Sequence, residues 1–131
     1  MDQLLSDLSV LRGHVRTQVD LVFNHHAQLT GVDTSPAAAE PIQQYNTCLA
    51  SIPTLTQQIV TIGYHSGSVD LATYSQGLAE YLRNLQTEID ATLSTTLDEA
   101  HVQAVYSVYT NVEACIDYCI ALAQGLAQVR C

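Results

Sequence analysis

Histidines and acidic residues are the side chains of this sequence that could hold a metal ion, and there are five of the first and thirteen of the second. A carboxylate-bridged di-iron site in a helical bundle requires two Glu-x-x-His pairs and a glutamate from each of the other helices. Asp98 and His101 have the spacing of one such pair, and there is no second copy. A solvated helix start is the ordinary explanation of this pair, so we predict no metal centre there.

The remaining histidines also lack a pattern typical of metal ligands. His25 and His26 are adjacent, so they point about 100° apart around a helix and cannot chelate one ion together. His14, Gln18 and His25 share one helical face more closely. Without an acid at ligand spacing beside them, we interpret these histidines as hydrogen-bonded or solvent-facing side chains.

Four cysteines, Cys48, Cys115, Cys119 and Cys131, raise the question of zinc. Cys115 and Cys119 are one helical turn apart, a geometry that disfavours a disulfide between them. With Cys48 and a histidine they could make a zinc site, but structural zinc sites usually use Cys-x-x-Cys knuckles, which are absent here. We therefore interpret the pair as small core hydrophobic residues and expect the thiols to be reduced.

No motif of nucleophilic or nucleotide chemistry occurs in the chain. It has no Gly-x-Ser-x-Gly elbow, no phosphate-cradling glycine loop and no dinucleotide-binding fingerprint. We therefore predict a non-enzymatic protein without a cofactor or small-molecule substrate.

The charge of the chain excludes two classes of partner. The net charge is −9, because thirteen carboxylates face four Lys and Arg residues, all four of which are arginine. Such a chain lacks the basic patch that neutralises nucleic-acid phosphates, and it is equally unsuited to an anionic membrane surface. The locally basic Arg12 and Arg16 can pair with Asp20, with another helix or with an acidic partner. Acidic residues on the last helix, among them Glu113 and Asp117, form either a solvated face or a surface for a basic partner.

The elements that must position these residues are helical. Apolar residues recur at three- and four-residue steps in four segments, residues 2–29, 41–62, 69–93 and 97–128. No alternating strand pattern competes. We therefore predict one all-α domain over residues 1–131, an antiparallel four-helix bundle. Pro53 is expected to kink the second helix, with a break into two shorter helices as the alternative.

The second segment carries the most regular apolar stripe. Its members are Ile42, Tyr45, Leu49, Ile52, Leu55, Ile59 and Ile62. In the first segment Gln18 falls on the seam, where a polar group reaches a partner, lies near an end of the bundle or sets the register. Gly13 marks either a close helix approach or a bend.

Helix boundaries are marked by caps and breakers. Gly31 is predicted to end the first helix, and Ser35 with Pro36 to start a new turn. Gly63 is expected to help end the second helix, and Ser68 to cap the third. Thr96 and Glu99 have the capping-box spacing, which predicts a fourth helix that begins near Leu97.

Tyrosine is the dominant aromatic residue, with seven copies against one Phe and no Trp. Tyrosines on the last helix either contact another chain or cover the edge of the core. The predicted partner contacts are Tyr45, Tyr106, Tyr109, Tyr118, Arg12, Arg16, Glu113 and Asp117. The first residues begin with an acid and mix polar with apolar residues, unlike a signal peptide or a membrane span, so we expect an intracellular protein.

One stretch carries a family resemblance. Residues 41–49, PIQQYNTCL, resemble the Mediator complex subunit 29 family, whose members open a core helix with a Pro-Ile-Gln, basic, aromatic, acidic, basic, Cys-Leu pattern. A leucine-rich helix and a polar linker precede it, as in the family, and AVYSVYTNVEACIDYCIALA is similar to the family's last helix. Gln44 and Thr47 replace the basic positions, Pro53 falls where the family helix is unbroken, and the Gln- and Pro-rich N-terminal lead of animal members is missing.

The resemblance implies a nuclear, non-enzymatic subunit that packs against other helical subunits of the Mediator tail and helps relay activators to RNA polymerase II. The alternative is a free-standing acidic helical binder, such as a viral or bacterial inhibitor, that docks on a basic protein surface. A third class is a bundle with an internal cavity for a ligand or metal.

Overall fold

Residues 2–129 are described by the computed structural model, and this part of the chain is helical without a strand. The α-helices are α1 (Asp2–Asn24), α2 (His26–Leu29), α3 (Ala39–His65), α4 (Val69–Leu93) and α5 (Glu99–Val129). A short 3-10 helix, Pro36–Ala38, precedes α3 and begins after Ser35, as predicted. The expectation of an all-α protein is confirmed.

The predicted first helix, residues 2–29, is interrupted at His25. This residue leaves helical geometry (φ −130°, ψ 34°) between α1 and the single turn of α2. Asn and His are weak helix formers, and the ring of His26 hydrogen-bonds the main-chain carbonyl of Thr92 at 2.8 Å. This contact holds the start of α2 against the end of α4. Gly31, with φ 82°, follows α2 as the predicted terminator.

The helix α3 continues through Pro53 without interruption, so the alternative of two shorter helices is wrong. Pro53 and Leu49, one turn before it, both lie on the exposed side of α3. The main-chain carbonyl that lacks a donor because of the proline can therefore be hydrated, which lowers the cost of proline within the helix.

The apolar stripe predicted for α3 is only partly buried. Ile42 and Leu49 are exposed, whereas Tyr45, Ile52 and Ile59 lie in the core. The buried face also includes Pro41, Cys48 and Gly63, which the stripe did not contain. The stripe is wider than the sector that the neighbouring helices cover, so its outer members stay in contact with solvent.

The core lies among the four long helices. α1 packs against α3 and α5, and α4 packs against the same two helices. The largest fully buried side chains are Leu4, Leu8, Leu11, Ile59, Leu71, Leu78, Leu85, Ile89, Ile116, Gln18, Val15 and Val19. Most of them follow the three- and four-residue apolar spacing from which the helices were predicted. This spacing therefore identified the buried faces of α1, α4 and α5 correctly.

Glycine plays two different roles at the end of α3. Gly67 adopts φ 80° in the turn, and the Ser68 hydroxyl accepts a hydrogen bond from Leu71 N at 3.1 Å, the predicted cap of α4. Gly63 was expected to end the helix, but α3 continues to His65. A Cβ added at Gly63 would lie 2.6 Å from Ser75 Oγ. The absence of a side chain at Gly63 therefore permits a close approach of α3 to α4.

The structure does not require glycine at position 13. A Cβ there would meet no atom within 4 Å, so the expected close helix approach is absent, and α1 runs through this position. Replacing Gly13 with alanine should raise the free energy of unfolding by about 0.5–1 kcal/mol, because alanine restricts the unfolded chain and favours the helix. Urea denaturation followed by circular dichroism tests this, and a loss of stability would contradict it.

The start of α5 lies two residues later than predicted and uses a different cap. Asp98 Oδ1 accepts a hydrogen bond from His101 N at 2.8 Å and lies 2.7 Å from His101 Nδ1. The hydrogen bonds from His101 hold the pKa of Asp98 below its ordinary value of 3.8, and the bond from the main-chain amide has the larger effect. Asp98 therefore replaces the predicted Thr96 as the residue that caps the helix, since its carboxylate accepts more strongly and favours the positive helix terminus.

Replacing Asp98 with alanine should lower the melting temperature by a few degrees at neutral pH, whereas Thr96→Ala should change it little. Because the pKa of Asp98 is lower in the folded state, its carboxylate stabilises the protein fully at pH values above the ordinary aspartate pKa. This stabilisation is lost as the pH falls through the lowered pKa. The difference between wild type and D98A should therefore shrink below about pH 4. Thermal melts from pH 7 to pH 2.5 test this, and a difference that grows in acid would contradict it.

Candidate partner-binding surface

An ion pair joins the first and last helices. The Arg12 guanidinium of α1 pairs with the Asp117 carboxylate of α5, and their side chains are 38% and 65% exposed. Both residues were predicted as partner contacts, and here they contact each other. A pair this exposed contributes little to stability because water and salt screen it. The Asp117 carboxylate remains accessible to another molecule, whereas Nε and Nη2 of Arg12 are buried.

Aromatic side chains continue the same boundary between α1 and α5. Phe23 stacks on Tyr106 with ring centroids 4.9 Å apart and an interplanar angle of 20°. Tyr106 also lies beside Tyr109, with centroids 6.4 Å apart. Tyr106 is 46% exposed, so one part of its ring is anchored by Phe23 and the rest faces solvent. Rings held in this way lose little conformational entropy when a partner covers them.

Tyr109 is half-buried, and its hydroxyl is held by an acid. Burial raises the pKa of Tyr109 well above its ordinary value, and a hydrogen bond to Glu113 and the negative charge of that residue raise it further. Arg16 opposes this effect in part. The phenol is therefore a neutral donor to the Glu113 carboxylate at physiological pH.

Six of the eight predicted contact residues thus lie along one boundary. We call this the α1–α5 face, and its members are Arg12, Arg16, Tyr106, Tyr109, Glu113 and Asp117. The seam pattern gave no direct sign of this grouping, because the residues come from opposite ends of the chain. Phe23, which stacks on Tyr106, was not among the predicted contacts.

The other two predicted contacts lie elsewhere. Tyr118 is 47% exposed and packs on Tyr74 of α4, with centroids 4.4 Å apart, at the boundary between α4 and α5. Tyr45 is only 8% exposed and belongs to the core. Burial raises the pKa of Tyr45, with a further contribution from the charge of Asp90. Tyr74 is itself 40% exposed.

The cysteines and histidines of residues 2–129 form no cluster that could hold a metal ion. Within residues 2–129 no three His, Cys, Asp or Glu side chains could together hold an ion. Cys48, Cys115 and Cys119 are free and buried. A hydrogen bond from Cys119 lowers the pKa of Cys115, and the same bond, together with burial, raises the pKa of Cys119.

One serine and histidine pair has the geometry of a nucleophile and a base. His14 Nδ1 of α1 lies 2.5 Å from Ser51 Oγ of α3, and Ser51 Oγ also donates to the Cys48 carbonyl at 3.3 Å. Neither the hydrogen bonds nor the ion pairs of the described residues provide an acid that orients this ring. The pair therefore functions as a hydrogen bond between α1 and α3 in this geometry.

Comparisons with protein-family models, with curated proteins and with solved structures found no match. In the described part of the chain no helix is long and apolar enough to cross a membrane.

Proposed function

We propose that the protein is a non-enzymatic helical subunit of a multiprotein assembly and that it binds other helical proteins through α5. The observation that carries this proposal is the exposure of anchored aromatic residues on that helix, Tyr106 at 46% and Tyr118 at 47%. Tyrosines of this kind are typical of protein interfaces, because they combine a large apolar ring with a hydroxyl that hydrogen-bonds. The Asp117 carboxylate, 65% exposed, supplies accessible charge on the same helix.

We infer further that the four long helices form an antiparallel bundle. Contacts between α1 and α5 support this, since Arg12 meets Asp117 and Phe23 meets Tyr106. Residue numbers therefore rise along α1 as they fall along α5. The short turn between α3 and α4 and the approach of Gly63 to Ser75 support the same arrangement for that pair. A kink at Pro53 stays a prediction.

The identity of the assembly is proposed from the resemblance of residues 41–49 to the Mediator subunit 29 family. On this proposal the protein is a nuclear subunit of the Mediator tail that helps relay activators to RNA polymerase II. Ile42 and Leu49 of the resembling stretch are exposed on α3, which supports a role for this helix in contacts with neighbouring subunits.

The charge of the chain favours a second candidate, a free-standing acidic binder of a basic protein surface. Its net charge of −9 would accelerate association with such a partner. Binding of this kind falls steeply with salt, whereas burial of aromatic and apolar residues depends on it much less. Salt dependence of the isolated complex therefore separates the two candidates.

The test is affinity purification of the tagged protein from its host, with wild type compared to the double variant Tyr106→Ala/Tyr118→Ala. Wild type is expected to recover several helical transcription-complex subunits in comparable amounts. The double variant should weaken their binding by about tenfold or more, the loss typical of an interface anchor. Tyr64→Ala is the matched control, because Tyr64 is a 69% exposed tyrosine that belongs to α3 and not to α5.

Two outcomes would contradict the proposal. Recovery of the protein alone, or with one basic partner that dissociates in moderate salt, would support the acidic binder instead. Equal partner recovery by wild type and the double variant would show that the α5 tyrosines carry no interface. Circular dichroism of each variant establishes that a loss of binding is not a loss of folding.

A further inference from the structure

Asp7 is a buried carboxylate on the boundary between α1 and α3. The residue is 4% exposed. Its Oδ1 accepts a hydrogen bond from Gln3 Nε2 at 2.8 Å, one turn earlier on α1. Its Oδ2 is buried and has no hydrogen-bond partner among the described residues. A buried carboxylate oxygen without a donor is costly, which makes this atom unusual in an otherwise ordinary helix face.

Asp7 also lines a cleft. The cleft has a volume of ≈ 410 Å³ and is lined by Gln3, Asp7, Gln57, Gln58, Thr61 and Ile62. Two residues come from α1 and four from α3, so the packing of these helices forms the walls. Side-chain amide and hydroxyl oxygens stand beside the carboxylate, and Ile62 contributes an apolar wall. The opening is therefore a polar acceptor site with room for a small aliphatic stem.

The chemistry of these groups selects a cationic donor. A carboxylate attracts positive charge, and neighbouring amide oxygens accept the additional protons of an ammonium or guanidinium group. A metal ion is disfavoured, because within residues 2–129 no second carboxylate, histidine or cysteine completes a ligand set.

The chain itself does not supply this cation in the part that the structure describes. Lysine is absent from the sequence. Arg12 pairs with Asp117, and Arg83 pairs with Glu80. Arg16 acts on Tyr109, on the other side of α1. Within residues 2–129 no arginine pairs with Asp7, so another molecule can supply the donor.

We propose that this α1–α3 cleft binds an alkylammonium or guanidinium group through Asp7. The group is either a free small amine or the lysine or arginine side chain of a partner. Asp7 forms the charge-assisted hydrogen bond, the glutamine and threonine side chains complete the donor contacts, and Ile62 packs on the aliphatic stem. The site lies away from the α1–α5 face, so it stands independently of the function proposed above.

The test is a titration of ¹⁵N-labelled protein with n-butylammonium chloride, with 1-butanol and sodium chloride as controls of shape and ionic strength. Saturable shifts are expected in the side-chain amides of Gln3, Gln57 and Gln58 with butylammonium alone. Asp7→Asn should weaken this binding by about tenfold or more, as expected for one charge-assisted hydrogen bond. Asp20→Asn, which removes the same charge from an exposed position of α1, should leave the binding unchanged.

A second titration, with a short peptide that contains one lysine, distinguishes the two sources of the amine. Tighter binding of the peptide supports a partner side chain, and equal binding supports a free amine. Non-saturable shifts, equal shifts with 1-butanol, or equal losses in D7N and D20N would overturn the site. The wild-type comparison of butylammonium with 1-butanol decides the question even if D7N does not fold.

Discussion

Replacing Gln86 with leucine is expected to lower the free energy of unfolding by about 1–3 kcal/mol, because the buried amide of Gln18 loses both of its hydrogen bonds to Gln86. Gln18 of α1 and Gln86 of α4 exchange two hydrogen bonds, of 3.0 Å and 2.8 Å between amide nitrogen and oxygen. Gln18 is 0% exposed, so water cannot replace the lost partner. Gln86 is half-buried and can reach solvent, and Gln18→Leu should therefore cost less than Gln86→Leu.

The double variant Gln18→Leu/Gln86→Leu separates the hydrogen bonds from the packing. With both amides removed no polar group of the pair stays buried and unpaired, so most of the lost stability should return. Tyr45 adds a complication, because it also hydrogen-bonds Gln18. Chemical denaturation of the four proteins gives the coupling energy, and purely additive losses would contradict a reciprocal pair.

Replacing Gly63 with valine is expected to destabilise the protein by about 1–3 kcal/mol, the usual cost of extra volume in a packed core. The Cβ alone would lie 2.6 Å from Ser75 Oγ and 3.2 Å from the Leu71 carbonyl oxygen. The serine hydroxyl can rotate away, but the main-chain oxygen of α4 cannot. The two helices would have to separate at the turn that joins them.

Gly13→Val is the matched control for this prediction. It introduces the same side chain into a helix at a position where a Cβ meets no atom within 4 Å. Its stability should stay within about 0.5 kcal/mol of wild type, as for most surface substitutions. Thermal and urea unfolding compare the two variants. Equal stability of G63V and G13V would show that α3 and α4 are not in close contact at Gly63.

Both predictions concern contacts between α4 and another helix. The pattern of apolar residues did not predict these contacts. The heptad pattern placed Gln18 on a seam and allowed three explanations for a polar residue there. The structure selects one, a partner within the chain. Gly63 was interpreted as a helix terminator, because glycine often ends helices, but its role here depends on how near a second helix lies.

Several features followed from the residues alone, because they depend on neighbours within one helical turn. Apolar spacing identified most of the buried faces of α1, α4 and α5. Ser68 was recognised as a cap, since its hydroxyl bonds a main-chain amide three residues later. The same reasoning placed the cap of α5 at Thr96, two residues early, because Asp98 competes for that role and accepts hydrogen bonds more strongly.

Other features arose only when distant segments packed together. Far more than one helical turn of sequence separates Arg12 from Asp117, and Phe23 from Tyr106. No local rule therefore relates their side chains. Asp7 carries no sign of burial in the sequence, and it is buried in the structure on the boundary between α1 and α3. The periodicity of a helix determines which residues share a face. Which faces meet, and which polar atoms they enclose, depends on the shapes and contacts of all four long helices at once.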